Sequence, residues 1–431
     1  MRHTVPRTAR MKTSTSKAGL FASQELRGYS DCVGTVTLIA GHVQPLWAGH
    51  PWVFAQAVQK VEGGALAGDE VDVLDPQGNF LGRGLYSPHS ALAVRVFSRV
   101  PGERLDASLI THRIQAAVER RQLFGLPSED TDGYRLIHAE GDGLPGLVVD
   151  RFGADLVLQV GCLGMKLKQS LIVDALRHVF QPRSILDRTS ARVAEQEGFR
   201  RDEGPLVGSA PDALGFRERA FRYRIPGAFG QKTGFYFDQR PLRARIEALA
   251  KDRRVLDAHT YVGAMAMAAA RGGASEVHAV DSSAAAIEVG AECAAINGLS
   301  AKISFERGDA LTVLQREARR GGYDLVICDP PKLAASRAHQ RKSLSTMRRL
   351  AAGAARATRP GGLLVLCSCS AAIDMDTMVR ILALACRDVG LQATVLERGH
   401  QGPDHPVLAA FPEGLYLSCI VAQIRPVAAR K

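Results

Sequence analysis

The spacing of apolar positions changes twice along the chain. Between residues 33 and 100 it follows period two in short runs, DEVDVLD (69–75), NFLGRGLYS (79–87) and ALAVRVFSR (91–99), with DPQG (75–78) as the turn between the first two. That spacing predicts a small β-barrel or sheet module. From 101 to 215 the pattern is mixed. A helix is expected over LDASLITHRIQAAVERRQLF (105–124), strands within YRLIHAEGDGLPGLVVDRFGADLVLQV (134–160), a helix over MKLKQSLIVDALRHVF (165–180) and a strand at SILDR (184–188). This predicts a central α+β domain. Its acidic, glycine-rich HAEGDGLPG (138–146) reads as a tight turn rather than a cation site, because tight turns select Asp and Gly.

From 216 to 425 strand-like and helix-like runs alternate. The strands are RRVLDA (253–258), EVHAVD (276–281), KISFERGDA (302–310), YDLVICDPP (323–331) and GGLLVLCSCS (361–370), with apolar helical segments between them. That order predicts an α/β, Rossmann-like doubly wound parallel sheet, whose ligands bind beyond the carboxyl ends of its strands.

Four acids stand at those ends: Asp257, Asp281, Asp309 (after a short Arg-Gly) and Asp329. Asp281 follows Asp257 by 24 positions. An acid at about that distance reaches a ribose diol in nucleotide-binding α/β folds. The turn after the first strand, DAHTYVGAMA (257–266), lacks the Gly-x-Gly-x-x-Gly spacing that wraps a pyrophosphate, which disfavours NAD and FAD. A nucleoside cofactor without a pyrophosphate fits, and S-adenosyl-L-methionine is the obvious one.

Composition adds little to this: 46% apolar and 23% charged residues suit a soluble globular protein. No apolar run approaches the ~18 residues of a membrane span, and no secretory pattern opens the chain. The eight cysteines are scattered, which points to a reducing, cytoplasmic compartment. Charge says more. The net +11 is concentrated in two blocks: residues 1–30 carry six Lys/Arg against one Glu, and residues 316–359 carry eleven against three acids. The remainder is slightly acidic, so the excess suggests a polyanion bound locally. Residues 1–32 show no apolar periodicity and read as a disordered basic tail; a transit peptide or an upstream start codon are the other readings.

The run from GHPWVFAQAVQKVEGG (49–64) to ALAVRVFSR resembles the N-terminal, RNA-binding PUA domain of the RlmI-like ribosomal RNA methyltransferases. RLIHAEGDGLPGLVVDRFG (135–153) resembles their central domain. KTGFYFDQR (232–240), VLDAHTYVG (255–263), AVDSS (279–283), DPPK (329–332), SCS (368–370) and DHPVLAAFPEGLYL (404–417) resemble their class I methyltransferase domain, in order and spacing. The resemblance spans about residues 33–425. It implies that Asp257 and Gly263 line the methionine end of S-adenosyl-L-methionine, Asp281 its ribose and Asp309 its adenine. Tyr261, Ser282 and Ala310 complete the implied cofactor set, and Lys332, Lys232, Gln239 and Arg240 are the residues offered to RNA. The chain departs from the family at His259, Val262 and Ala264, and lacks a tyrosine after DPPK. The methyl of Ala264 is expected to narrow the space beside the cofactor loop.

Cys367 and Cys369 pose a separate question. A Cys-x-Cys pair without further Cys or His at finger spacing does not make a zinc site, and a redox pair is normally Cys-x-x-Cys. Cys162, Cys293, Cys386 and Cys419 read as small core residues. Cys369 ends the strand that neighbours Asp329, where a thiolate can attack C6 of a pyrimidine and make C5 nucleophilic. In the family the SCS cysteine is assigned that role, which maps onto Cys369; Asp329 would then bond the N3/N4 edge of cytosine. Cys367 reads as structural.

The expected activity is therefore 5-methylcytosine formation in RNA, with large-subunit ribosomal RNA as partner, no membrane and no metal, and a homodimer left open. Two rivals stand beside it: methylation of a guanine or adenine nitrogen, and a catalytically weak RNA-binding or ribosome-assembly factor.

Overall fold

In the computed structural model, residues 34–427 are described except 203, 228, 230–232, 334–339 and 371–372. The expected basic tail and Lys232 lie outside the described residues.

The N-terminal module is one six-stranded sheet, formed by Gly34–Leu38, Trp52–Phe54, Val58–Glu62, Glu70–Leu74, Phe80–Tyr86 and Leu92–Ser98. Its last three strands are those the alternation predicts. DPQG turns because the Asp75 carboxylate accepts the backbone N–H groups of Gln77 and Asn79 at 2.9 and 2.8 Å, a side-chain bond that competes with strand pairing. Val36, Leu38, Val71, Val73 and Val94 bury one face.

The central five-stranded sheet runs Pro205–Val207, Ser184–Asp187, Asp155–Val160, Leu147–Phe152 and Gly133–His138 in space. The helix Ala107–Gln122 starts where the Asp106 side chain accepts the Leu109 N–H at 2.9 Å. HAEGDGLPG is a turn, as expected: Ala139–Asp142 is one 3-10 turn closed by Gly143 in the left-handed region. Its buried Asp142 carboxylate is taken by Arg121 at 2.6 and 2.8 Å and by Arg120. Among the described residues no cluster of His, Cys, Asp or Glu is placed to hold a metal ion, and no helix is long and apolar enough to cross a membrane.

The C-terminal sheet has seven strands: β1 (Arg254–Ala258), β2 (Glu276–Asp281), β3 (Ile303–Arg307), β4 (Tyr323–Cys328), β5 (Thr358–Ser368), β6 (Leu391–Gly399) and β7 (Ser418–Pro426). Their spatial order is β3-β2-β1-β4-β5-β7-β6. Helices α1 (Arg240–Leu249), α2 (Ala264–Arg271), α3 (Ala284–Ile296), α4 (Ala310–Arg319), α5 (Gln340–Ala357) and α6 (Met375–Arg387) accompany them. Strands β1 to β5 are parallel, as the alternation predicts. Their near-continuous apolar sequence follows from burial on both faces: Val255, Ile327 and Val365 face one core, Leu256, Val326 and Leu364 the other. Strand β7 instead runs antiparallel to both β5 and β6. Parallel neighbours need a crossover, usually a helix, whereas residues 400–417 return the chain with only one short 3-10 turn. That return carries DHPVLAAFPEGLYL.

Asp404, fully buried in this return, ties three parts of the chain together. Its carboxylate accepts the backbone N–H of Arg135 at 3.0 Å, the Arg240 guanidinium at 2.9 Å and His405 Nδ1–H at 3.1 Å; its carbonyl accepts from Arg121 at 2.7 Å. Burial alone would raise this carboxyl's pKa. The charges of His405 and Arg240, with the hydrogen bonds, outweigh burial and hold it well below the usual range. Removing the acid leaves buried cations uncompensated, so Asp404→Ala should cost about 3–5 kcal/mol in urea unfolding at pH 7. A carboxyl depressed by folding contributes fully above its unfolded pKa. The gap between wild type and Asp404→Asn should therefore hold from pH 5 to 8 and shrink below about pH 4.

Candidate active site

Strand register gathers the sequence-nominated residues along one edge. Ala258 is level with Val280 of β2 and Cys328 of β4, so Asp281 and Asp329 each stand one residue beyond β1's last paired position. Asp281 is level with Arg307, placing Asp309 two residues past β3, and Cys328 is level with Leu366, placing Cys369 three residues further along β5. The sheet order therefore sets out Asp309, Asp281, Asp257, Asp329 and Cys369 in a row.

The Asp257 carboxylate is buried, with Thr260 Oγ1 donating to it at 2.5 Å. Burial raises its pKa to about 7, against the Thr260 bond, and Asp329 and Asp281 add to the rise. Asp281 accepts the N–H of Tyr261 on one oxygen and of Ser283 on the other, both at 2.9 Å. One lone pair stays on each oxygen for a diol. Asp309 caps α4, one oxygen accepting from Thr312 N–H and Oγ1 at 2.9 and 2.8 Å; those bonds lower its pKa. Ser282 is exposed beside Asp281, and Ala310 is buried at the start of α4.

The loop between β1 and α2 holds His259, Tyr261 and Gly263 at φ +64°, +53° and +74°. Two of these are not glycine, a strain that persists only where surroundings fix it. Thr260 N–H donates to Val280 O at 2.9 Å and Gly263 N–H to Thr260 O at 3.0 Å. Tyr261 Oη donates to Gly234 O at 2.9 Å. A Cβ on Gly263 would meet the Phe305 ring at 3.0 Å. Ala264, the first residue of α2, is buried and packs in the core. Nucleoside-binding acids, a glycine with no room for a side chain and an acid suited to a cation fit S-adenosylmethionine.

At the other end of the row, Gln239 Nε2 donates to Asp329 Oδ2 at 2.7 Å. Gln239 thus belongs to this edge. Arg240 does not: its guanidinium binds Asp404 and Gly133 O and pairs with Glu218 at 3.4 Å, so a phosphate does not find it free. Lys332 is exposed beyond Pro330 and Pro331. Of the seven described cysteines, six are buried and Cys369 is half-buried. Cys367 lies directly across from Cys419, and that thiol contact together with burial pushes its pKa well above normal.

Sequence reasoning missed Tyr236. Phe235 and Phe237 are buried on either side of it, and this alternation was the available signal. Tyr236 packs edge-on to Tyr261, ring centroids 5.3 Å apart. Burial, then the charges of Tyr261, Cys369 and Asp329, push its phenol pKa up. Thr260 and His259 were also missed.

Gly263→Ala should destabilise the protein by more than the ~1–2 kcal/mol of a left-handed alanine, because the Phe305 contact adds to it. Gly361→Ala, at φ +82° with open space around it, supplies the backbone-only control in parallel urea melts.

Comparison with known proteins agrees with this geometry. Residues 36–99 match a PUA-like domain, and residues 136–411 match an S-adenosylmethionine-dependent methyltransferase family. The chain is 36% identical over 390 residues to ribosomal RNA large subunit methyltransferase I of Serratia proteamaculans, covering 90% of this chain and 98% of that one. It is 37% identical over 395 residues to the protein of that name from Yersinia pseudotuberculosis, covering 90% and 100%. A solved methyltransferase complexed with SAH, SMU.776, shares the fold at TM-score 0.79 and 20% identity, covering 90% of this chain and 99% of that one. The chain is an S-adenosylmethionine-dependent methyltransferase with a PUA-like domain at its N-terminal side, and it belongs to the family of the ribosomal RNA large subunit methyltransferase I proteins.

Proposed function

We propose that the protein methylates C5 of a cytosine in large-subunit ribosomal RNA through a covalent adduct with Cys369. The observation that carries this reading is Cys369 itself, half-buried just past the end of β5 while the other described thiols are buried, with Asp329 just past the end of the neighbouring strand β4. The names of its relatives and the PUA-like domain support RNA as the substrate.

C5 of cytosine is not nucleophilic in the intact ring. Attack by the Cys369 thiolate forms an Sγ–C6 bond and shifts the C5–C6 π pair, making C5 an enamine carbon. Bound S-adenosylmethionine supplies an electrophilic methyl group. Loss of the C5 proton and expulsion of the Cys369 thiolate then restore the aromatic ring. Asp329, held by Gln239, faces the N3/N4 edge and favours the polarised adduct. Asp281 receives the ribose, Asp309 the adenine side, and Asp257 and Gly263 the methionine end; Tyr261, Ser282 and Ala310 complete that wall.

The basic block contributes less than its count suggests. Arg316, Arg320, Arg348 and Arg359 pair with Glu306, Glu317, Asp388 and Asp324. Arg341, Lys342, Arg349 and Arg356 are exposed along α5 and, with Lys332, form the cationic surface facing RNA.

The direct test is mass-spectrometric mapping of 5-methylcytosine in ribosomal RNA from a deletion strain. One site should disappear and return on complementation; an unchanged map would sink the reading. Cys369→Ala should lower the methylation rate at least 10³-fold and leave SAH affinity within twofold by calorimetry. Cys367→Ala should retain methylation. With a carboxyl pKa near 7, Asp257 is largely protonated at pH 6, and a cationic cofactor favours the ionised form. S-adenosylmethionine binding should therefore release a proton and weaken below pH 7, approaching tenfold per unit; Asp257→Asn should flatten the profile.

A further inference from the structure

Between the central sheet and the segment carrying Gln239 lies a cavity of about 140 Å³. A cavity of ~150 Å³ admits benzene, so this one has room for a single six-membered ring. Cys369, Asp329 and Asp257 do not line it, so it is not the seat of the reacting base.

Its walls are polar and already ordered. Arg135 is fixed by Asp150 at 2.5 and 3.0 Å and donates to His138 Nδ1 at 3.2 Å. With Nδ1 accepting, the proton of the neutral ring sits on Nε2 as a donor; burial, the largest cause, keeps His138 neutral. Gln159 Nε2 donates to Arg188 O at 2.9 Å, which leaves its amide oxygen as an acceptor. His138 and Tyr416, their ring centroids 6.1 Å apart and their planes at 30°, supply aromatic surface to the lining. A donor, an acceptor and a ring face are what the Watson–Crick edge and π-face of an unstacked pyrimidine require. Tyr236 forms part of this wall while also feeling the charges of Cys369 and Asp329. Asp238, another wall residue, immediately precedes the Gln239 that binds Asp329. The cavity therefore adjoins the reaction centre.

We propose that this cavity is a second nucleobase subsite, taking an unstacked pyrimidine of the substrate RNA next to the nucleotide that is methylated. The inference rests on the reading of an RNA substrate. It adds a sequence filter: a single-ring base is accepted at this neighbour.

A double-mutant cycle between protein and RNA tests it. Affinity for an rRNA fragment spanning the mapped site is measured by fluorescence anisotropy, with an abasic residue placed in turn at the target and at the two positions on each side of it. Val148→Phe fills the cavity from its wall. It should weaken binding about tenfold and leave SAH affinity unchanged. At one neighbouring position the abasic substitution should cost wild type about as much and cost the variant nothing further. Independent losses at all four neighbouring positions, or coupling only at the methylated nucleotide, would overturn the proposal. If Val148→Phe melts early, Gln159→Leu removes the acceptor at similar volume and is held to the same criterion. The methylated base in the same RNA is identified by mass spectrometry. Coupling with a product other than 5-methylcytosine defeats the earlier reading alone, whereas 5-methylcytosine without coupling defeats this one alone.

Discussion

Asp404 is the constraint on which the placement of the reaction centre depends. One buried carboxylate residue holds the Arg135 backbone, the Arg240 guanidinium and, through its carbonyl, Arg121. Arg135 belongs to the central sheet, Arg121 to the helix covering it, and Arg240 to the start of α1. Gln239, the residue before Arg240, holds Asp329. The central sheet thus sets where the DPPK acid points. Buried charges are costly unless paired and bonded; this cluster pairs each charge, with Arg240 Nε held by the Glu218 ion pair at 3.4 Å rather than by a hydrogen bond. It exchanges stability margin for a fixed geometry.

Along the sheet edge, burial grades the chemistry. Asp257 is sealed and lies near its ionisation point, Asp281 and Asp309 are oriented by backbone and cap bonds, and Cys369 alone among the described thiols is half-buried. Burial pushes the Cys328 thiol pKa up, and the Cys419 contact followed by burial does the same for Cys367, which disfavours their thiolates. The strained loop at 259–263 stands between these functions. Its N–H groups bond Val280 O and the Asp281 carboxylate, which fixes the loop against the end of β2.

The parallel half of the C-terminal sheet was legible because strands buried on both faces leave near-continuous apolar runs, four of the five ending in an acid that register then brings together. The antiparallel end was not. The alternating LQATVLERG and the buried SCIVAQIRP are joined by a return whose path depends on Asp404, a long-range bond that no local pattern announces. Arg240 misled for the same reason: an arginine beside a nominated glutamine looks available in sequence, yet its partners lie more than twenty and more than a hundred and sixty residues away. Tyr236 stood in a quoted motif, but only the burial of its two phenylalanine neighbours shows which way it faces.

Trapping with RNA carrying 5-fluorocytidine at the mapped position tests the central claim most directly. A C5 fluorine cannot leave as a proton does, so an adduct through C6 cannot resolve. The account predicts a stable one-to-one protein–RNA complex, dependent on S-adenosylmethionine, whose cross-linked peptide carries the modification on Cys369 by mass spectrometry. Free RNA methylated on a ring or exocyclic nitrogen, or a complex formed equally well by Cys369→Ala, would contradict it.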